Sequence, residues 1–493
     1  RPGMILFSVV VLFLCAGILT PKEMLEGFSN KGMITVALLF LVSEGIRQSG
    51  TLGQVIKKLL PQGKTTVFKA QLRILPSVAF ISAFLNNTPV VVIFAPIIKH
   101  WAKSVNLPAT KFLIPLSYVT ILGGICTLIG TSTNLVVHGM ILEAGFEGFS
   151  MFELGKVGIF IAIAGIIYIF LFSKRLLPDA RPDTAVPDEE VEEGEKLHRV
   201  EAVLGARFPG INKKLKDFNF QRHYGAEVKE IKTRNGQRFV TNLDDVVLHE
   251  GDTLVVMADD TFIPTWGESS VFVLLTNGNE PDTTGKKKRW FALLLLVLMI
   301  VGATVGELPV TKEMFPDIKL DMFFFVSITT IIMAWTNLFP ARKYTKYISW
   351  DILITIACAF AISKAMVNSG VADSVAKFII GLSDDYGPHV LLAMVFIITN
   401  LFTELITNNA AAALAFPLAL SISAQLGVSP TPFFVVICMA ASASFSTPIG
   451  YQTNLIVQGI GNYKFTDFVR IGLPLNIITF LISIILIPLI WNF

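Results

Sequence analysis

Long apolar runs, almost free of charge, recur from residue 4 to residue 491. They constrain the fold more than any other feature. In hydrocarbon every backbone N–H and C=O must find its partner within the protein, so a run of this length is a membrane helix or part of one. Spans are read near 4–19, 33–49, 112–142, 156–173, 290–304, 322–338, 351–367, 431–460 and 469–491. The expected class is an all-α polytopic membrane protein. Composition agrees, with 16% charged residues against the roughly 25% of soluble domains.

The charge is concentrated. Residues 174–289 carry 39 of the 77 Asp, Glu, Lys and Arg side chains. An aqueous module is therefore expected between an N-terminal membrane half, 1–177, and a C-terminal half, 290–493. The segment 178–197, with Pro178 to Glu195 rich in Pro, Asp and Glu, reads as a disordered linker, and 277–289 as a basic linker ending in Lys286, Lys287, Lys288 and Arg289. Between them, over 198–276, alternating stretches at Glu227–Thr233, Gln237–Thr241 and Thr253–Ala258 with turns at Asn235-Gly236 and Gly251-Asp252 predict a small α+β insert domain. The net charge of +3 gives no basic face for a nucleic acid. Cys15, Cys126, Cys358 and Cys438 lie in apolar stretches without metal spacing and read as small buried hydrophobes, and His198, His223 and His249 show no metal spacing either. The chain opens at Arg1 directly before an apolar run, so residues ahead of it are expected; no cleavable signal peptide is visible.

Two apolar stretches, 66–101 and 388–425, are each broken by a polar cluster, Asn86-Asn87-Thr88-Pro89 and Thr407-Asn408-Asn409, and fit re-entrant hairpins. Lys57, Lys58, Lys99, Lys103, Lys174, Arg175, the 286–289 run, Arg342, Lys343 and Lys346 mark one side of the membrane. Glu143, Glu147, Glu153, Asp373, Asp384 and Asp385 mark the other. The positive-inside rule makes the insert and the first hairpin cytoplasmic and brings the second hairpin in from outside.

The chain also repeats itself. Thr133-Asn134-Leu135-Val136-Val137-His138-Gly139 recurs as Thr453-Asn454-Leu455-Ile456-Val457-Gln458-Gly459, Ser49-Gly50 recurs as Ser369-Gly370, and Pro96 as Pro417, at offsets of 320 to 321. Repeats over 33–173 and 351–491, oppositely oriented by the charge rule, are expected to place a site at their interface near the bilayer midplane, the plan of secondary transporters. Besides the two tips, Gly130-Thr131-Ser132-Thr133-Asn134 and the stretch Ser446 to Asn454 interrupt helices. Non-helical backbone at this depth needs a buried or wet setting. Hydroxyl, amide and carbonyl oxygens suit an alkali cation, and helix N-termini suit an anion.

At these residues the sequence resembles the divalent anion:sodium symporter family, the dicarboxylate, citrate and sulfate carriers of the ion transporter superfamily. Gly123 to Asn134, Thr403-Glu404-Leu405-Ile406-Thr407-Asn408-Asn409 and the proline after each tip carry the resemblance, over about residues 20–491. The resemblance implies an inner-membrane, elevator-type homodimeric carrier, not an enzyme, that needs no cofactor and couples sodium to a divalent anion. One sodium ion would be held by Ser82, Asn86, Asn87 and the backbone at Gly130, a second by Thr403, Thr407, Asn408 and the backbone at Ser446. The anion would lie among Asn87, Thr88, Thr131, Ser132, Asn134, Asn408, Asn409, Thr447, Pro448 and Asn454. Asn86 and Asn409 stand where the family has Ser and Thr, and the second break holds Tyr451 and Gln452, departures that leave the anion open. Moving tips and breaks would slide past a scaffold near 4–19, 156–173, 290–338 and 469–491.

Two carboxylates stand within apolar stretches. Glu404, one turn before the second tip, is a coupling candidate or a structural hydrogen-bonding group, and Glu44 is expected to pair with Arg47 or Arg73. Within the insert, Leu215 to Phe220, Tyr224 to Val228 and Leu248 to Leu254 resemble the TrkA-C type regulatory domain of potassium-uptake and channel-gating proteins, which implies dimerisation and a nucleotide or cyclic dinucleotide effector. A proton-coupled oxyanion exporter and a gated ion channel remain alternatives. An intramembrane enzyme fits least, since no His, Ser or Asp constellation accompanies the breaks.

Overall fold

The apolar runs do become helices, interrupted where the polar clusters fall. The computed structural model describes residues 2–179, 198–205, 207–233, 237–259, 262, 266, 271–276, 286–315, 317–381 and 387–493. The expected linker beyond Asp179, the basic linker up to residue 285, the Asn235-Gly236 turn and the Asp384-Asp385 loop lie outside the described residues.

Leaving short turns unnumbered, the first half runs α1 (Pro2–Cys15), α2 (Lys31–Gln48), α3 (Thr51–Leu59), α4 (Val67–Ser82), α5 (Asn87–Ser104), α6 (Leu113–Gly124), α7 (Ser132–Glu143) and α8 (Gly155–Leu176). After the insert follow α9 (Lys286–Gly306), α10 (Met322–Trp335), α11 (Trp350–Asn368), α12 (Val371–Gly381), α13 (Gly387–Leu405), α14 (Asn408–Leu426), α15 (Thr431–Ser442), α16 (Gln452–Gly461) and α17 (Phe465–Ile490). The order α2 to α8 recurs as α11 to α17. Each series turns on a left-handed glycine after its first helix, Gly50 at φ 69° and Gly370 at φ 71°.

Among the described residues seven helices are long and apolar enough to cross a membrane: α2, with the turn before it, α8, α9, α11, α13, α14 and α17. The chain is a multi-pass membrane protein. Ile159, Ile163, Ile167 and Leu171 on α8, and Leu473, Ile477, Leu481, Ile485 and Leu489 on α17, are exposed at four-residue spacing, one outward apolar stripe per helix. By contrast α6 and α15 are buried on all sides, since every residue of α6 and every residue of α15 but Thr431 is withdrawn from the surface. That burial puts the two helices that precede the breaks at the centre. Just before α6, Lys111, 2% exposed, donates from Nζ to the carbonyls of Lys174 (2.8 Å) and Leu177 (2.5 Å) at the negative end of α8.

Glu44 pairs with Arg47, whose Nε and Nη2 donate to its two oxygens at 2.8 and 2.7 Å, whereas Arg73 turns to the Lys58 carbonyl at 2.9 Å. The cysteine expectation needs one correction. Cys358 and Cys438 are buried and Cys126 partly so, but Cys15 is exposed, because it ends a helix that packs along one face only, against α11.

The insert carries one antiparallel sheet in the order β3-β2-β4-β1-β5, from β1 (His198–Leu204), β2 (Glu227–Lys232), β3 (Arg238–Phe239), β4 (Thr253–Ala258) and β5 (Phe272–Thr276). Phe208, Phe218, Phe220, Tyr224, Leu254 and Phe272 form a core separate from the helical one. Val203 of β1 instead joins the helical core. Beside it the Lys99 ammonium of α5 donates to both oxygens of Glu201 at 2.9 Å, and Lys232 reaches the same carboxylate at 3.3 Å. On α16, Gly459 lies so close to the sheet that a Cβ there would stand 2.7 Å from Thr253 Oγ1. The sheet thus sits on the helices that follow the first tip and the second break.

Candidate functional site

The first tip is the turn between α4 and α5, and the first break the stretch between α6 and α7. Freed carbonyls of the break need donors, and the tip supplies one. The Thr120 and Gly130 carbonyls can only accept, so the Asn87 amide faces them with its nitrogen, at 3.1 Å each, and reaches Ser82 Oγ at 2.9 Å. Thr127 Oγ1 donates to the Ala83 carbonyl and accepts from Gly130 N (3.2 Å), while Asn134 Nδ2 holds the Thr127 carbonyl at 2.9 Å.

This close fit requires glycine at 124, where a Cβ would lie 2.5 Å from the Asn87 amide nitrogen. Gly124→Ala should displace the Asn87 amide and destabilise the protein by about 2 kcal/mol. Thermal unfolding in detergent would show it, and an unchanged transition would refute the contact.

The same bonds recur 320 to 321 residues later. Thr403 Oγ1 bonds Asn408 Oδ1 (2.9 Å) as Ser82 bonds Asn87; Gly450 N donates to Thr447 Oγ1 (3.2 Å) as Gly130 does to Thr127. Asn454 Nδ2 donates to the Thr447 carbonyl (3.1 Å) as Asn134 does to that of Thr127, and Thr447 Oγ1 donates to the Glu404 carbonyl (3.2 Å) as Thr127 does to that of Ala83. The likeness stops at one point. Asn454 Oδ1 accepts from Ser117 Oγ at 2.7 Å, but no described side chain donates to the buried Asn134 Oδ1, and 320 residues after Ser117 the chain has Ile437.

The halves meet by crossing over. The Tyr451 hydroxyl, in the second break, lies 2.5 Å from Asn87 Oδ1 of the first tip and 3.1 Å from Thr131 Oγ1 of the first break. Thr88 Oγ1 donates to Gln452 Oε1 (3.3 Å). Reciprocally, Ser132 and Thr133 donate to Asn409 Oδ1 at 3.3 and 3.1 Å. Two tips and two breaks thus converge on one buried cluster without a fixed cation.

Of the residues singled out in the sequence, Ser82, Asn87, Thr88, Gly130, Thr131, Ser132, Thr403, Asn408 and Asn409 belong to this cluster. Asn134, Thr447 and Asn454 brace the breaks, with both asparagine nitrogens directed at break carbonyls. Pro448 is buried beside them. Asn86 and Thr407 stand as helix N-caps without a side-chain cap bond; Thr407 is exposed, and Asn86 lines a separate small cavity with Ser43 and Ser132. Ser446 lies toward Glu404, whose Oε1 accepts from Ser446 N (2.9 Å) and Asn476 Nδ2 (2.8 Å) while Oε2 has no donor among the described residues. Thr120, Ser117, Asn476 and Tyr451 were not singled out as site residues. A polar side chain inside an all-apolar helix is the signal that finds the first three. Tyr451 gives none beyond its place in a break.

A cavity of about 1240 Å³ runs beside α7, lined among others by Asn30, His138, Glu143, Glu307 and Asp321, with Leu128 and Leu135 near the first break. A multi-pass helical protein with unwound, oxygen-rich backbone at its centre has the build of a membrane transporter. Comparison makes this specific. The sequence profile of the citrate transporter family, CitMHS, matches residues 1–421 and 314–492. An uncharacterised transporter of Synechocystis is 30% identical over 98% of this chain and 93% of its own length. The uncharacterised transporter YfbS of Escherichia coli is 25% identical over 100% of this chain and 96% of its own. Sodium/sulfate cotransporter 2 of Chlamydomonas reinhardtii is 31% identical over 57% of this chain and 31% of its own. The chain belongs to the citrate transporter family.

Proposed function

We propose that the protein is a sodium-coupled symporter of a divalent anion of the sulfate or di- and tricarboxylate class. The observation that carries the reading is the cluster of two tips and two breaks, bonded alike at an offset of 320 to 321 residues. It offers oxygens in pairs, N–H donors at helix starts, and no Lys or Arg, so an anion entering it needs cations beside it. In this reading sodium binds at Ser82, Asn87 and Gly130 and at Thr403 and Asn408, and the anion lies between the tips. Citrate and sulfate in the names of the family and of the Chlamydomonas relative support the anion class.

The mechanism proposed is an elevator on inverted repeats. The tips and breaks move as one body along a scaffold that includes α8, α9, α10 and α17, with a homodimer formed through that scaffold in the inner membrane. The insert, taken as a cytoplasmic TrkA-C type regulatory domain with a nucleotide or cyclic dinucleotide effector, rides on α5 and α16, and so on the moving body. A second reading, proton coupling, has one observation in its favour, the Oε2 of Glu404, which has no partner among the described residues.

Counterflow of labelled sulfate, succinate and citrate in proteoliposomes decides among these. Exchange of one of them that requires sodium is the expected result. Exchange driven by a proton gradient and indifferent to sodium would transfer the coupling to Glu404, and no exchange of any divalent anion would overturn the proposal.

A further inference from the structure

The Asn87 nitrogen is surrounded by three oxygens, Ser82 Oγ and the carbonyls of Thr120 and Gly130. Those are hard ligands, as suited to a small cation as to an N–H group. The amide has only two orientations that keep its plane. With nitrogen on the three oxygens, Oδ1 faces Tyr451 and takes its proton at 2.5 Å. With Oδ1 turned to the three oxygens, a cation among them gains a fourth oxygen, and Asn87 presents N–H to the tyrosine instead. The Tyr451 proton then has no acceptor in Asn87. Thr131 Oγ1, 3.1 Å from the same hydroxyl, holds it in place through either orientation.

We propose that Tyr451 is the positioning residue that couples the two substrates: a sodium ion among Ser82, Thr120 and Gly130 turns the Asn87 amide, and the Tyr451 hydroxyl so released donates its hydrogen bond to the anion. The inference rests on the sodium-symport reading and adds to it a reason for order of binding. Before the amide turns, the hydroxyl directs lone pairs toward the space between the tips; afterwards it directs a proton there. A phenol offers one hydrogen bond from a fixed point, and Gln452 and Thr88 flank it. A compact oxyanion with oxygens on every side can accept that bond in any orientation.

The test is Tyr451→Phe, which keeps the ring and removes the hydroxyl, in the full-length chain. In proteoliposomes the Michaelis constant for labelled sulfate should rise about tenfold, for one lost hydrogen bond to a charged acceptor. Sodium, measured by its stabilisation of the detergent-solubilised protein against heat, should bind about threefold tighter, since the turn no longer exchanges the 2.5 Å hydroxyl-to-amide bond for a weaker amide N–H bond to a phenol oxygen. Opposite movement of the two affinities is the signature. Equal weakening of both would make Tyr451 a structural residue, and tighter sulfate binding would make it an obstruction; either overturns the proposal.

If Y451F does not fold, 3-fluorotyrosine introduced at position 451 alone serves instead. Its fluorine resonance should shift with sodium in the absence of anion and shift again with sulfate. A resonance indifferent to sodium overturns the proposal. Sodium-dependent exchange by the unsubstituted protein is the separate check on the underlying reading, and its failure would be seen there first.

Discussion

Asn408→Ala should cut sodium-dependent anion uptake by roughly a hundredfold while the protein still reaches the membrane. Asn408 is 8% exposed, opens α14, and accepts from Thr403 Oγ1 on its own hairpin at 2.9 Å. Truncation removes one buried hydrogen bond and one ligand oxygen of the proposed second sodium site, about 3 kcal/mol in all. Because the α14 N-terminus and its N–H groups remain, the loss should fall on affinity for both ions more than on folding. Initial uptake of labelled sulfate across a sodium series checks this. Uptake within threefold of the parent would remove Asn408 from the site.

Glu201→Ala should release the sheet from the helices. The Glu201 carboxylate is 17% exposed; burial alone would raise its pKa, but Lys99 and Lys232, with Arg199 farther off, outweigh burial and hold it down at about 2. A carboxyl lowered from about 4.5 adds stability at neutral pH that persists above its unfolded value and is lost as pH falls toward 2. The contribution is up to about 3 kcal/mol. Truncation leaves the ammonium groups of Lys99 and Lys232 facing each other, with Glu230 still 3.9 Å from Lys232. Hydrogen exchange in β1 and in α16 near Gly459 should accelerate together in the variant, and in the parent as pH drops below about 4.5. Unchanged protection in α16 would mean that the sheet is held by Val203 and the glycine contact alone.

That two apolar runs are interrupted was legible in the sequence, although each helix stops several residues before the stretch read as its break, and the next resumes within it. Gly130 to Asn134 and Ser446 to Asn454 combine helix breakers with hydroxyls inside apolar runs, and the helices do end at Gly124 and Ser442 and resume at Ser132 and Gln452. Strands β2 and β4 followed from alternation, but β1 and β5 did not. The sequence His-Arg-Val-Glu-Ala-Val-Leu of β1 is buried on both faces toward its end, and Glu201 is a buried charge whose partner, Lys99, lies 102 residues away. Pattern cannot anticipate such a pair. The converging asparagines were visible as motifs. Tyr451 was visible only as a departure from a pattern, because its role comes from partners 320 and 364 residues earlier in the chain.

Those separations bear on how the protein is made. Asn87 enters the membrane in the first hairpin, yet its oxygen meets Tyr451 only after 364 more residues have been added. At a ribosomal speed of about 5–20 residues per second that is a wait of roughly 20–70 seconds. During this interval the polar tip and the freed carbonyls of the first break have no lasting partner from the second half. An unfinished copy therefore leaves amide and hydroxyl groups uncovered among apolar helices, a mark of incompleteness. Completion of α16, nearly the last helix synthesised, removes that mark.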